Sequence, residues 1–163
     1  MVTNKTDREE FILHLRNVQE PLRRFLLSLC EGNSFTADDI AQDACMKAYL
    51  AMDRFRGEAR FSTWLFAIAY NSWCNRKYDS RAERLEDTNA ASRPDDAASD
   101  DSFKYQALYQ AMSALKPDEK AAILLFYMED KSIKEISAIL KVPSGTVKSL
   151  LSRGRANLKM TIK

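Results

Sequence analysis

The chain has 163 residues, a net charge of +2, and only four glycines and four prolines. This length suits one medium domain or two small ones, and strand-like alternation is hard to find, so we expect an all-α fold. Three widely spaced cysteines without a Cys-x-x-Cys pair argue against a disulfide framework or a zinc site. Because the N-terminus is charged and no long apolar run occurs, we expect neither a signal peptide nor a membrane span, and a cytoplasmic protein.

The charges are distributed unevenly along the chain. Residues 1–82 hold 12 basic and 11 acidic residues, residues 83–102 hold 2 and 7, and residues 103–163 hold 11 and 5. We predict two small helical domains, residues 1–82 and 103–163, joined by a flexible acidic linker, residues 83–102, which lacks apolar periodicity. Only the last part has the positive charge that suits a polyanion partner.

The first predicted element is an amphipathic helix over about residues 7–30, where apolar residues recur at steps of three and four. Pro21 lies inside this pattern and removes a backbone hydrogen bond, so we expect two helices or a kink before Leu22. We expect His14, the single histidine, to be a packing or surface residue and not a catalyst.

A further helix is predicted from Thr36, a suitable N-cap, with Asp38 and Asp39 in its first turn. Ile40 and several alanines can face the core. The residues left on the outer face are Asp39, Gln42, Asp43 and Met46. A methionine exposed among acids and amides indicates an interface with a partner.

Cations alternate with aromatic rings over residues 53–61, and a helix is predicted to follow from Ser62 or Thr63. Six residues of this helix look too polar and too aromatic to be buried together: Tyr70, Asn71, Trp73, Asn75, Arg76 and Lys77. Such a surface can stack unpaired bases and read their edges. The alternative is that the rings form core and the cations are solvated, and the sequence leaves both interpretations open.

After the predicted linker, one helix should stop before Pro117 and another should run from Asp118 to about Met128. A shorter helix should then start at a capping box of Ser132 and Glu135 and end at Pro143, with Ser144 as the cap of the last helix. That last helix is basic and has small polar residues near its start. This is what a helix-turn-helix needs to enter a DNA major groove, although an ordinary helical hairpin with a solvated basic face is the alternative.

Three stretches, in this order, resemble segments of the bacterial extracytoplasmic-function (ECF) sigma factors of RNA polymerase. They are DDIAQDACMKAY (residues 38–49), DRFRGEARFSTWLFAIAYN (residues 53–71) and KEISAILKVPSGTVKSLLSRGRANLK (residues 134–159). In that family the first clamps onto core polymerase, the second opens and captures the −10 promoter element, and the third reads the −35 element. The resemblance implies a promoter-specificity subunit without cofactor, metal or enzymatic activity, whose partners are core polymerase, promoter DNA (duplex at −35, a melted strand at −10) and an anti-sigma factor.

Carried over residue by residue, the resemblance places the polymerase contacts at Asp39, Gln42, Asp43 and Met46. It places the −10 contacts at Arg54, Phe55, Arg56, Arg60, Phe61, Ser62, Trp64, Asn71, Asn75, Arg76 and Lys77. It places the −35 contacts at Ser144, Thr146, Lys148, Ser149, Ser152, Arg153 and Arg155. Two departures stand out: Leu150 replaces a frequent arginine and should remove one DNA contact, and Gly154 replaces the usual alanine at a cost of roughly 0.5–1 kcal/mol.

Two other classes of protein are alternatives to this interpretation. A conventional helix-turn-helix regulator would sense a ligand or dimerise through its first domain, and would bind duplex DNA tightly without polymerase. An enzyme acting on nucleic acid would need a metal-ligand cluster, a nucleophile beside a base or a Gly-rich phosphate loop, and the sequence offers none of these patterns. We therefore expect no enzymatic activity.

Overall fold

The structure, a computed structural model, describes residues 5–55, 57–86 and 106–162. Over these residues the chain forms helices and no strand, which confirms the all-α prediction. Three helices make up the first half: α1 (Lys5–Leu29), α2 (Ser34–Leu50) and α3 (Phe61–Glu86), with a 3-10 turn at Met52–Arg54. The second half contains α4 (Gln106–Ser113), α5 (Pro117–Ile123), a π-helical turn (Leu124–Met128), α6 (Ile133–Leu140) and α7 (Ser144–Ile162).

In the first half, large apolar side chains of α1 and α3 pack against each other and against the small residues of α2. The rings of Phe25 and Phe66 stack with centroids 5.3 Å apart, and both side chains are fully buried. Ala37, Ala44 and Ala48 on α2 are at most 1% exposed. Because alanine adds only a methyl group, α2 can approach its neighbours closely and present its longer side chains to the outside.

Two predicted features of the first half differ in the structure. α1 continues through Pro21 as one helix, so the prediction of two helices is wrong, whereas a kink before Leu22 stays a prediction. Val18 and Leu22, on either side of Pro21, are both buried in the same core. The N-cap of α2 is Asn33 and not Thr36, because the Asn33 side-chain oxygen accepts a hydrogen bond from the Thr36 backbone N–H at 2.9 Å. The earlier start leaves no acidic residue in the first turn of α2.

The capping box of α6 is present as predicted. The Glu135 N–H donates to Ser132 Oγ at 3.1 Å, and the Ser132 N–H donates to Glu135 Oε1 at 3.3 Å. The helix ends at Leu140, before it reaches Pro143, because Lys141 adopts a left-handed conformation with φ 58°. Ser144 is the first residue of α7 and not its cap, and the Pro143 carbonyl accepts the first helical hydrogen bond.

The packing of α7 changes the interpretation of Leu150 and Gly154. Leu150 is 1% exposed, so its position belongs to the core and the expectation that it removes a DNA contact is wrong. Gly154 faces Ile123 on α5, and a Cβ at Gly154 would lie 2.7 Å from Ile123 Cγ1. Real Cβ atoms essentially never approach that closely. The glycine therefore allows α5 and α7 to pack at short range, in addition to its cost in helix propensity.

The last turn of the long helix predicted after Pro117 is π-helical. The Glu129 N–H donates to the Leu124 carbonyl at 3.1 Å, which is the i to i+5 spacing of a π-helix. This wider turn ends at Asp130, whose φ of 56° turns the chain toward α6.

Helix α3 continues to Glu86, four residues into the range predicted as linker, and residues 87–102 lie outside the described part of the chain. The two halves pack against each other, with α3 against α6. None of the described helices combines the length and the apolar character that crossing a membrane requires.

Candidate nucleic-acid and partner interfaces

The outer face of α2 carries the four residues predicted to contact polymerase. Asp39, Gln42, Asp43 and Met46 are all exposed, and Met46 keeps 64% of its surface accessible. Two further apolar residues lie on the same stripe at helical spacing, Phe35 at 75% and Leu50 at 74% exposure. The sequence prediction missed both, although their spacing of four from Asp39 and from Met46 is visible in the chain.

The acidic residues of this face are paired with cations. Arg76 of α3 forms an ion pair with Asp39, and Lys47 Nζ lies 2.9 Å from Asp43 Oδ2. A groove of about 460 Å³ runs between α2 and α3, and its walls include Met46 on one side and Asn75 on the other. The predicted polymerase face and part of the predicted −10 face are thus adjacent.

The aromatic rings before and at the start of α3 form one cluster. The ring of Phe55 lies 5.0 Å from that of Trp64 and 5.9 Å from that of Phe61, measured between centroids. Phe61 also contacts Phe11 at 5.7 Å and stacks on His14 at 4.9 Å, and it is only 6% exposed. Phe61 is therefore core in this structure and its ring has no free face for a base, whereas Phe55 and Trp64 are half-buried. His14 is a packing residue, as predicted.

The cations of the predicted −10 loop remain accessible. Arg54 lies in the 3-10 turn and Arg60 precedes α3, and both are exposed. Arg56 lies outside the described residues. Ser62 is half-buried, and its Oγ accepts a hydrogen bond from Lys131 Nζ at 3.4 Å.

Two asparagines mark the exposed face of α3. Asn71 and Asn75 are exposed one turn apart, and Tyr78 follows at 75% exposure. Lys77 is exposed at the side, with Nζ 5.0 Å from the centroid of the Trp73 ring. Trp73 itself is 5% exposed, so grouping it with the surface residues was wrong.

Helix α7 presents one cationic face. Its buried residues Val147, Leu150 and Leu151 hold it against the second half of the chain. Six of the predicted −35 residues are exposed: Ser144, Lys148, Ser149, Ser152, Arg153 and Arg155; Thr146 is half-buried. The helix contains no acidic residue, so its accessible side has a single sign of charge.

Three of these side chains are oriented by neighbours. Arg153 Nε donates to the Ser149 carbonyl at 3.4 Å. Ser149 Oγ donates to the Gly145 carbonyl at 3.2 Å, one turn earlier in the helix. Arg155 Nη1 donates to the Tyr127 hydroxyl at 3.0 Å. Tyr127 belongs to the π-helical turn and was missed from the sequence, where nothing connects it with the last helix.

The cysteines are protected thiols. Burial raises the pKa of Cys30 to about 12, against an ordinary value of 9.0. Burial also raises the pKa of Cys45 and of Cys74. Among the residues that the structure describes, no group of His, Cys, Asp and Glu has the arrangement of a metal site.

Comparison with known proteins identifies the two halves separately. The family described as Sigma-70 region 2 matches residues 14–83, and the family described as Sigma-70, region 4 matches residues 105–158. Together the two matches include both helical halves of the structure.

Relatives match over most of the chain. The ECF RNA polymerase sigma factor SigW of Bacillus subtilis is 32% identical over 148 residues, which is 81% of this chain and 78% of that protein. The ECF RNA polymerase sigma-E factor of Escherichia coli K12 is 33% identical over 132 residues, 72% and 69% of the two chains. The sigma factor RpoE of Bartonella quintana, solved with the anti-sigma factor NepR, superposes with a TM-score of 0.80 at 28% identity over 94% of this chain and 97% of that one. The chain belongs to the ECF sigma factors of RNA polymerase.

Proposed function

We propose that this sigma factor uses three separate helix faces for its three contacts: α2 for core polymerase, α3 and the loop before it for the −10 strand, and α7 for the −35 duplex. The observation that carries the proposal is the cationic face of α7. Lys148, Arg153 and Arg155 are exposed there without an acidic residue in the helix. A recognition helix needs such a face because DNA presents phosphates on both sides of the groove.

The residues on this face have different tasks in the proposal. Lys148, Ser149, Ser152 and Arg153 face base edges, whereas Ser144, Thr146 and Arg155 hold phosphates. Arginine suits a base edge because its guanidinium can donate two parallel hydrogen bonds to guanine. The hydrogen bond from Arg155 to Tyr127 at 3.0 Å supports the phosphate role, since it holds the guanidinium in one orientation at the edge of the helix.

The −10 contacts are proposed for the exposed and half-buried members of the predicted set. These are Arg54, Phe55, Arg60, Ser62, Trp64, Asn71, Asn75, Arg76 and Lys77. Arg56, which lies outside the described residues, stays in the proposed set on the resemblance alone. The buried ring of Phe61 is left out, because it supports Phe55 and Trp64 from below. The half-buried rings can stack a base, and the asparagine amides can both donate and accept at a base edge.

Promoter melting needs no covalent step from the protein. Extruding a base costs a few kcal/mol of stacking and pairing. Stacking on an aromatic ring contributes about 1–3 kcal/mol per base, so capture of one or two bases is of the size required. We propose accordingly that the chain acts as a non-catalytic initiation factor, in the cytoplasm where core polymerase and the chromosome are found.

The polymerase contact is proposed for the stripe of α2 that runs from Phe35 to Leu50. Its exposed apolar residues Phe35, Met46 and Leu50 lie among Asp39, Gln42 and Asp43. Apolar anchors surrounded by polar groups are typical of protein interfaces. We also propose an anti-sigma partner, because the solved sigma factor that matches both halves of this chain was captured with one.

Transcription in vitro tests the assignment of the DNA contacts. Core polymerase, the purified protein and a library of random promoters should yield transcripts that share a −35 and −10 pair. Asn71→Ala should change preference at −10 positions and Arg153→Ala at −35 positions. Asn17→Ala and Arg16→Ala, at exposed positions of α1, are the matched controls and should change neither.

Two results would contradict the proposal. If both test variants initiate with unchanged preference, the residue assignments fail although the sigma activity stands. If nothing initiates and the protein alone protects a duplex site, it acts as a conventional helix-turn-helix regulator.

A further inference from the structure

A second cavity, besides the groove between α2 and α3, lies where the loop between α1 and α2 meets α3 and α5. Its volume is about 590 Å³, which is within the range of cavities that bind small molecules. Three cations line it, Arg76, Lys77 and Lys120, together with the carboxylates of Glu31 and Asp79. We call this cavity the Lys120 pocket.

Lys120 is buried, which is rare for a lysine: its side chain is only 2% exposed. Its Nζ donates to Glu31 Oε1 at 3.0 Å and to the Leu29 carbonyl at 3.2 Å. An ammonium group has three N–H donors, so these two acceptors within the described part of the chain leave one donor for a ligand. Because water screens a buried charge less than an exposed one, Lys120 attracts an anion in the pocket strongly.

Lys77 contributes a second ammonium group to the same pocket. Its Nζ lies 5.0 Å from the centroid of the Trp73 ring, and Lys120 Nζ lies 5.6 Å from that same centroid. Partial burial and the positive charge of Lys120 lower the pKa of Lys77, and the carboxylate of Glu31 offsets this only in part. An anion bound between the two ammonium groups would reduce their repulsion.

Two further features add positive potential at the border of the pocket. Arg76 pairs with Asp39 through Nη1, and a guanidinium has five N–H donors, so it can also donate to a ligand. Asn33 and Thr36 line the pocket as well, and they mark the N-terminus of α2. The first turn of α2 holds no acidic residue that would neutralise the partial positive charge of this helix end.

The neighbouring groove between α2 and α3 has the opposite balance of charge. Its lining residues include three aspartates and two cations: Asp39, Asp43, Asp79, Lys47 and Arg76. In the Lys120 pocket three cations face two carboxylates, and one of these, Glu31, already accepts from Lys120. The Lys120 pocket and not the groove is therefore suited to an anion.

We propose that the Lys120 pocket binds a phosphate group, held by Lys77, Lys120 and Arg76. A phosphate monoester carries about two negative charges and three strong acceptor oxygens, which match several N–H donors converging from different helices. Trp73 is 5% exposed, too little for a base to stack on its ring, so the phosphate is the part of the ligand that this pocket recognises.

The phosphate can come from two sources. One is a small phosphorylated molecule, for which the cavity is large enough. The other is the backbone of a nucleic-acid strand, since Arg76 and Lys77 are also among the proposed −10 contacts. The proposal itself does not rest on the −10 assignment, because it concerns a cavity that a free phosphate compound can test without DNA.

Isothermal titration calorimetry of the full chain with pyrophosphate tests the proposal. Pyrophosphate should bind with a Kd of about 1 mM or below, against a blank of sodium chloride at the same ionic strength. Lys77→Gln and Lys120→Met each remove one donor and should weaken binding about ten-fold or more, the loss expected for a hydrogen bond to a charged group. Lys134→Gln removes the same charge from an exposed position of α6 and is the matched control, with an unchanged Kd expected.

Folding of the variants is checked by circular dichroism. Lys120→Met leaves Glu31 without its partner, but the Glu31 side chain is 41% exposed and can be solvated. If Lys120→Met does not fold, Lys77→Gln still decides the test, because Lys77 is exposed and its replacement creates no cavity in the core.

Random single-stranded DNA of about ten nucleotides identifies the source of the phosphate. If Lys120→Met weakens DNA binding as much as it weakens pyrophosphate binding, the backbone of a strand occupies the pocket. If Lys120→Met weakens pyrophosphate binding alone, the ligand is a small phosphorylated molecule. Both results support the pocket and differ only in what carries the phosphate.

Three results would overturn the proposal: no pyrophosphate binding up to about 10 mM, binding that the pocket variants leave unchanged, or an equal loss in Lys134→Gln. The proposed promoter contacts are tested separately, because these titrations contain neither polymerase nor promoter. Failed initiation with intact pyrophosphate binding would refute the proposed function alone. Changed −10 preference in Asn71→Ala without pyrophosphate binding would refute the pocket alone.

Discussion

Gly154→Ala should destabilise this protein, although alanine favours a helix and is the usual residue at this position in the ECF sigma factors. In an unobstructed helix the change gains roughly 0.5–1 kcal/mol. Here the new Cβ would lie 2.7 Å from Ile123 Cγ1 and 3.0 Å from Ile123 Cδ1, so the Ile123 side chain or one of the two helices must shift. Overpacking of this kind costs about 1–3 kcal/mol, and we expect a net loss of about 1 kcal/mol.

A double-mutant cycle isolates the contact. Ile123→Ala removes both atoms that the new methyl group meets, at a cost of about 2–5 kcal/mol by itself. In that background Gly154→Ala should be stabilising, which makes the coupling between the two positions about 1–3 kcal/mol. Urea unfolding followed by circular dichroism measures the four free energies.

Gly145→Ala is the matched control for this cycle. Gly145 lies in the first turn of the same helix, and a Cβ there meets no atom within 4 Å. It should therefore be neutral or stabilising by up to about 1 kcal/mol. If Gly154→Ala stabilises as much as Gly145→Ala, or if the cycle is additive, the close packing of α7 on Ile123 is refuted.

Three further predictions concern other parts of the molecule. Met46→Asp should weaken binding to core polymerase about ten-fold or more in an equilibrium titration, because it places a charge at an apolar anchor of the proposed α2 interface. The control Leu13→Asp, at a position of α1 that is 61% exposed, should leave the affinity unchanged. An equal loss of affinity in both variants would show that Met46 is not part of the interface. Ser132→Ala should lower the free energy of unfolding by about 0.5–2 kcal/mol in urea, because it deletes the capping box of α6; an unchanged midpoint would contradict that role. The pKa of Cys30 is raised to about 12 from 9.0, so this thiol ionises in the unfolded chain at a lower pH than in the folded protein, and the free energy of unfolding should fall as the pH rises from about 9 toward 12. In Cys30→Ala the free energy of unfolding should fall less steeply over this range. Identical slopes in the two proteins would show that the thiol does not contribute.

Features set by neighbouring residues could be predicted from the sequence. The capping box of Ser132 and Glu135, the exposed face around Met46 and the cationic face of α7 depend on helical spacing and on side chains within one turn of each other. The resemblance then added the identity of the partners, which no spacing rule contains. One prediction that failed at this level is the N-cap of α2, where Asn33 lies three residues before Thr36 and is the better cap by residue type.

Features set by contacts between distant residues required the tertiary structure. Phe61 and Trp73 are aromatic residues that suit a core or a base equally well, and only the helices packed on them determine that they are buried. Likewise Gly154 and Ile123 give no sign in sequence of their close contact. Arg24 and Glu129, which pair through two hydrogen bonds, are 105 residues apart, and nothing local distinguishes them from other charged residues. Periodicity and capping act over a few residues, so the helices and the faces they present can be predicted from the sequence. Burial depends on which other parts of the chain pack against those faces, so the free faces could be identified only from the folded structure.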